Sequence, residues 1–146
     1  MKKLQFKYIL FILLILFFCN SGTMSFFVFA DNQDKIDSLE KIVPISSGSK
    51  KANILNRLAK ENLTISPRKS IEYAQKALEL SEKFDNKEEQ ATAFNNMGKG
   101  HYYTGNYDEA LKYYRSYYDI VLQLGKQKEV AKALNNIGII YRLWAN

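Results

Sequence analysis

The sequence predicts an all-α fold, a solenoid of antiparallel helix hairpins about two and a half repeats long, behind an N-terminal signal peptide or membrane helix. Three observations predict it. The segment AFNNMG at Ala93–Gly98 returns as ALNNIG at Ala133–Gly138, 40 positions later, and a period of this length is typical of stacked helical units. From residue 50 onward, apolar residues recur at helical spacing without the alternation of a strand. Both prolines fall between the predicted helices.

The first thirty residues have the composition of a targeting segment. Three lysines among the first seven residues precede an unbroken apolar run from Tyr8 to Phe18, and Val28 and Ala30 occupy the −3 and −1 positions of a cleavage site. We therefore predict a signal peptide over residues 1–30, cleaved after Ala30, and an exported bacterial protein that is periplasmic or membrane-associated. A retained membrane anchor is the alternative, because the two apolar stretches together approach the roughly 20 residues that span a bilayer.

Cysteine content and charge narrow the classes of function. Cys19 is the only cysteine, and the bulky Phe18 before it makes lipid attachment at Cys19 the weaker alternative. After cleavage the chain would hold no disulfide framework, so its stability would come from helix packing. Without the three leader lysines the remainder carries a net charge of +3 with both signs interspersed, which gives no support for nucleic-acid binding.

The predicted organisation after the leader has two parts. Residues 31–49 form a polar segment with a short helix near residues 35–43, which Pro44 ends. Residues 50–146 hold the repeats, divided near 50–87, 88–126 and 127–146, the last of them incomplete. The expected helices lie near 50–63, 68–84, 88–104, 107–124 and 127–144.

The third repeat copy stops at Asn146, before its second helix. We expect the apolar side chains of Leu134, Ile137 and Tyr141 to lack the helix that would cover them. An exposed apolar face of this kind favours self-association through the last helix. The sequence leaves open whether the chain is complete or is a fragment of a longer protein.

The residue pattern resembles the tetratricopeptide repeat, whose signature places aromatic, small and apolar residues at fixed spacing in two helices. The second copy carries Phe94, Met97, Gly98, Ala110 and Tyr114 at these places, the third is shorter, and the first is degenerate. The resemblance covers residues 50–146, with a period of about 40 residues where the standard repeat has 34. It implies packing roles for Leu58, Ala59, Ala77, Phe94, Met97, Gly98, Ala110, Tyr114, Leu134, Ile137, Gly138 and Tyr141.

The resemblance implies a non-catalytic scaffold that binds a protein or peptide in a groove lined by the first helix of each hairpin. An asparagine amide can both donate to and accept from a peptide backbone, and lysine or arginine suits an acidic peptide or a C-terminal carboxylate. For the asparagines, structural hydrogen bonds between helices are the alternative. The candidate binding residues are Asn56, Lys60, Asn95, Lys99, Tyr102, Asn135 and Arg142.

The sequence offers no catalytic, metal-binding or cofactor-binding constellation. His101 is the only histidine and falls at a packing position of the repeat, without the ligand set that a metal needs. We therefore predict no enzyme activity and no cofactor, with an unidentified protein or peptide as partner. The alternative function, also implied by the resemblance, is the sensory N-terminal part of a longer signalling protein, a histidine kinase or transcriptional regulator whose output domain is absent from this chain.

Overall fold

The structure, a computed structural model, describes the backbone of residues 22–145 and the side chains of residues 32–145. The chain divides into two compact units, residues 1–35 and 36–146. Within the described range the first unit is helical, and the second contains the repeats. The six helices of residues 22–145 are α1 (Gly22–Ile42), α2 (Gly48–Asn62), α3 (Pro67–Lys83), α4 (Lys87–Tyr103), α5 (Tyr107–Gln123) and α6 (Gln127–Trp144).

The structure confirms the predicted all-α solenoid of helical hairpins, and residues 22–145 contain no strand. Helices α2 to α6 begin and end within two residues of their predicted positions. The first helix differs, since α1 begins at Gly22 where the sequence predicted a short helix from residue 35. Pro44 follows α1 within two residues of its end, as expected for a residue that cannot continue a helix.

The turns that join α3 to α4, α4 to α5 and α5 to α6 each contain a residue with positive φ. Gly105 and Gly125 have φ angles of 77° and 67°, in the left-handed region that glycine enters without a Cβ penalty. The turn between α3 and α4 places Asp85 in the same region, at φ 48°. Pro67 occupies the first turn of α3 behind the N-cap Ser66, whose side chain makes no capping hydrogen bond.

The α4–α5 hairpin is tight at Gly98. A Cβ built on Gly98 would lie 2.6 Å from two ring carbons of Tyr114 in α5, closer than non-bonded carbons approach. Ala110, Met97 and Tyr114 are also buried, at 0%, 2% and 4% exposure, in positions where the sequence analysis placed packing residues. A second close approach, which the sequence analysis did not anticipate, lies at Gly100, whose added Cβ would meet Cγ1 of Ile71 at 2.5 Å.

Three clusters of buried side chains form the core of residues 36–146. The first cluster includes residues of all four helices from α1 to α4, among them the predicted packing residues Leu58, Ala59 and Ala77. The second joins α4, α5 and α6 around Tyr117 and Val121, and the third joins α5 and α6 through residues that include Tyr114 and Ile140. Phe94 is partly buried and contacts both the first and the second cluster.

The outer face of α6 is open. Val130, Ala133 and Ile140 pack inward, and Ile137 is partly buried, but Leu134 is 52% exposed and Tyr141 is 47% exposed. A Cβ on Gly138 would meet nothing within 4 Å. Leu134 and Tyr141 therefore lack a covering helix among the described residues, as the sequence analysis expected, and neither they nor Gly138 has the packing role that repeat spacing assigned to them.

The predicted leader falls mostly outside the described part of the chain. Its apolar run and Cys19 belong to residues 1–21, and the predicted cleavage point after Ala30 falls inside α1. Cleavage and export stay predictions. Among the helices of residues 22–145, none combines the length and the apolar character needed to cross a bilayer.

Candidate functional site

Asn56 is a structural residue that ties α2 to α4. It is 2% exposed, and its Nδ2 donates to the backbone oxygen of Glu89 at 3.0 Å and to Glu89 Oε2 at 2.8 Å. Asn96 Nδ2 in turn donates to the backbone oxygen of Asn56 at 3.0 Å. Since these contacts occupy the Asn56 amide under α4, its prediction as a ligand-binding residue is wrong, and the alternative of hydrogen bonds between helices applies.

The same linkage recurs one repeat later. Asn136 Nδ2 in α6 donates to Asn95 Oδ1 in α4 at 3.2 Å, as Asn96 does toward Asn56. The third residue of the predicted ladder, Asn135, is exposed and lines no cavity described below. The three asparagines that are equivalent in sequence therefore differ in the structure, because each needs the following repeat to cover it.

Several of the predicted site residues line a cavity of about 490 Å³. We call it the lysine cavity. Lys60 of α2, Asn95 and Lys99 of α4, and Lys132 of α6 all line it, so the first helix of each hairpin contributes. Lys126, in the turn before α6, completes its cationic lining. The predicted residues Lys60, Asn95 and Lys99 thus meet at one site, and the sequence analysis missed Lys126 and Lys132.

Two of the four lysines in this cavity are neutralised within it. Lys126 Nζ lies 2.5 Å from Glu88 Oε1, and Lys132 Nζ lies 2.8 Å from Glu129 Oε2. Hydrogen bonds from Lys132 and from the Tyr117 hydroxyl lower the pKa of Glu129, so this carboxylate is charged at neutral pH. Tyr117 and Lys132, the two donors to Glu129, line the cavity together with it.

The other two lysines have no carboxylate in direct contact. Among the residues that the structure describes, Lys60 and Lys99 form no ion pair with a carboxylate. Burial lowers the pKa of Lys99, and the nearby charges of Lys132 and Lys60 lower it further. An anion that entered the cavity would relieve this repulsion.

A smaller cavity of about 210 Å³ adjoins the first, and Lys99 lines both. We call it the aromatic cavity. Tyr102, the remaining predicted binding residue of α4, forms part of its wall, and the other lining residues are Leu63, Tyr103, Tyr114, Asn136 and Ile139. The hydrogen bond from Asn136 to Asn95 joins a lining residue of this cavity to one of the lysine cavity.

Arg142 lies apart from these two cavities. It is exposed near the end of α6 and lines neither of them, so the structure does not bring it together with Lys60 and Lys99. Another arginine, Arg115 of α5, donates from its Nη2 to the Tyr141 hydroxyl at 2.6 Å.

His101 packs against an aromatic ring. Its imidazole stacks on Tyr113 with ring centroids 5.3 Å apart. Burial lowers its pKa, so the ring is neutral at pH 7, and its Nδ1 is buried without a hydrogen-bond partner. Within the described side chains, no group of three potential ligands could hold a metal ion. The prediction that the chain is not an enzyme remains a prediction.

Comparison with known proteins bears on the middle of the chain. Residues 67–123 match the family described as Tetratricopeptide repeat, a stretch that covers α3, α4 and α5. No curated protein matches the sequence. Repeats of this family typically mediate protein–protein interaction and are typically non-catalytic. Over residues 67–123 the chain is thus similar to a tetratricopeptide repeat, which supports a protein-interaction scaffold.

Proposed function

We propose that this protein is a non-catalytic scaffold that binds an acidic segment of a partner protein in the lysine cavity. The observation that carries the proposal is the convergence of Lys60 and Lys99, which have no carboxylate partner, on a cavity that α2, α4 and α6 line together. Carboxylates form charge-assisted hydrogen bonds with lysine, roughly twice as strong as neutral ones. The partial burial of Lys99 makes such a bond stronger, since screening by water is weaker there.

Competing chemistries fit the cavity less well. The lining carries Glu88, Glu89 and Glu129 beside the lysines, an arrangement that disfavours the densely charged backbone of a nucleic acid. A protein segment with isolated carboxylates can place one charge between Lys60 and Lys99 and keep its other charges away from these glutamates. The backbone amides of such a segment would meet the side chain of Asn95 in the same lining.

The test compares binding of two fluorescein-labelled peptides, an acetylated oligoglutamate and an oligoglutamine of equal length, measured by fluorescence anisotropy at low salt. The wild-type protein should bind only the oligoglutamate. The double variant Lys60→Gln/Lys99→Gln should bind it at least tenfold more weakly, because it lacks both unpaired charges. The control Lys69→Gln removes an exposed lysine of α3 outside the cavity and should change binding less than twofold. The proposal would be refuted if the loss of affinity per removed lysine were the same in the double variant and in the control.

We also propose that the protein acts outside the cytoplasm, a proposal that rests on the basic start, apolar run and Val28–Ala30 site of residues 1–30. Fractionation of cells that express the whole chain tests it, with Edman sequencing of the exported product. A new N-terminus at Asp31 is the expected result, and an uncleaved cytoplasmic product would contradict it. The sensory part of a longer signalling protein would use the same cavity and stays the alternative.

A further inference from the structure

The aromatic cavity differs in chemistry from the lysine cavity beside it. Lys99 is the one charged side chain in its lining, and the remaining wall is made of Leu63, Ile139 and three tyrosines, with Asn136. Burial raises the pKa of Tyr114, so its hydroxyl stays neutral at physiological pH. A carboxylate gains little in such surroundings, whereas an apolar side chain can replace water there at a gain in free energy.

The volume of the aromatic cavity suggests what it can hold. At about 210 Å³ it is smaller than the roughly 300–1,000 Å³ of a typical small-molecule site. It is suited to one side chain that enters from the groove. The opening is bordered by Tyr103, which is 53% exposed and therefore lies at the rim.

The two cavities lie close enough to serve one ligand. Lys99 lines both, and the Asn136–Asn95 hydrogen bond joins their walls. In an extended peptide, side chains two residues apart point the same way and lie about 6.6 Å apart along the chain. Because the single side chain of Lys99 lines both cavities, one extended segment can reach both sites.

We propose that the aromatic cavity is a second subsite that takes an apolar side chain, two residues from the acidic side chain held in the lysine cavity. This rests on the proposed function and narrows the partner to an extended segment with the pattern acidic, any residue, apolar. Lys99 then determines specificity, since its ammonium group holds the carboxylate while its methylene chain faces the apolar side chain.

Three fluorescein-labelled heptapeptides test the proposal by fluorescence anisotropy with the full chain. All contain one glutamate in a serine and glycine host. The first has leucine two residues after the glutamate, the second has serine there, and the third has the leucine directly adjacent. The first peptide should bind about tenfold more tightly than the second, as expected when one large aliphatic side chain is buried, and the third should resemble the second.

Two variants locate the effect, and a third controls for it. Tyr103→Ala opens the rim and Ile139→Asn makes the wall polar, and each should bring the first two peptides within about twofold of each other. Neither residue is fully buried, and circular dichroism verifies that both variants fold. Ile45→Ala removes an aliphatic side chain that is 83% exposed between α1 and α2, and should keep the tenfold preference.

The outcomes separate the two proposals. If leucine and serine peptides bind equally while Lys60→Gln/Lys99→Gln still weakens both, the apolar subsite is wrong and the acidic-segment proposal stands. If the adjacent leucine binds as tightly as the leucine two residues away, the extended spacing is wrong. If the lysine double variant binds all peptides as the wild type does, the proposed function fails and the subsite fails with it.

Discussion

Gly98 and Gly138 occupy the same place in consecutive repeats, and their environments differ in a way that alanine substitution can measure. Alanine in place of a helical glycine stabilises the helix by about 1 kcal/mol. At Gly138 a Cβ meets nothing within 4 Å, so Gly138→Ala should raise the free energy of unfolding by about that amount. At Gly98 the same Cβ would lie 2.6 Å from the ring of Tyr114, a side chain that is 4% exposed, so the ring or the backbone of one helix would have to shift.

Overpacking a core by one methyl group costs about 1–3 kcal/mol. Gly98→Ala therefore gains about 1 kcal/mol of helix propensity and loses about 1–3 kcal/mol to the clash, a net change between about zero and −2 kcal/mol. Because the propensity gain is common to both variants, the difference between them isolates the clash. Urea unfolding followed by circular dichroism measures it. Equal shifts in the two variants would refute the argument that Gly98 is required for close approach of α4 and α5.

Three further perturbations follow from the described contacts. Asn96→Ala should cost about 1–3 kcal/mol, since it removes the buried donor that bonds both Asn56 oxygens, and the part-buried Asn136→Ala should cost less. A reversed order of urea midpoints would contradict this. Asp85→Gly should add about 0.5–1 kcal/mol, because it removes a non-glycine residue from φ 48°, and a lower melting temperature would count against it. Because the pKa of Lys99 is lowered in the folded protein, the unfolded chain binds more protons between that pKa and 10.5. The free energy of unfolding should therefore rise with pH across this window. Lys99→Met should abolish the rise and stabilise the protein at pH 7. An unchanged slope of stability against pH in Lys99→Met would show that Lys99 is not its source.

The helices of the repeats could be predicted because each one satisfies a local rule. Apolar periodicity placed α2 to α6, and glycine or proline marked their ends. The length of α1 could not be predicted from apolar periodicity, since residues 20–34 lack a regular apolar stripe. Most of them were also assigned to a cleaved signal peptide. Helix propensity alone does not reveal where such a helix begins.

The candidate site was only partly predictable, because its polar contacts join residues from different repeats. The position of each residue within its own repeat predicted that Lys60, Asn95 and Lys99 share a surface, and all three line the lysine cavity. It could not show that Glu89, 33 residues after Asn56, binds the Asn56 amide and removes it from the surface. Lys132 was missed for the same reason, as it belongs to the next repeat and reaches the cavity only through the stacking of α6.

The open face of α6 is the competing binding surface, and one measurement separates it from the lysine cavity. Backbone amide chemical shifts of the ¹⁵N-labelled protein are followed by NMR during titration with the heptapeptide that carries glutamate and leucine two residues apart. The account predicts that the largest changes cluster around Lys60, Asn95 and Lys99, with smaller ones at Tyr103 and Ile139. Changes concentrated instead around Leu134 and Tyr141, with the lysine cavity unaffected, would contradict the central claim.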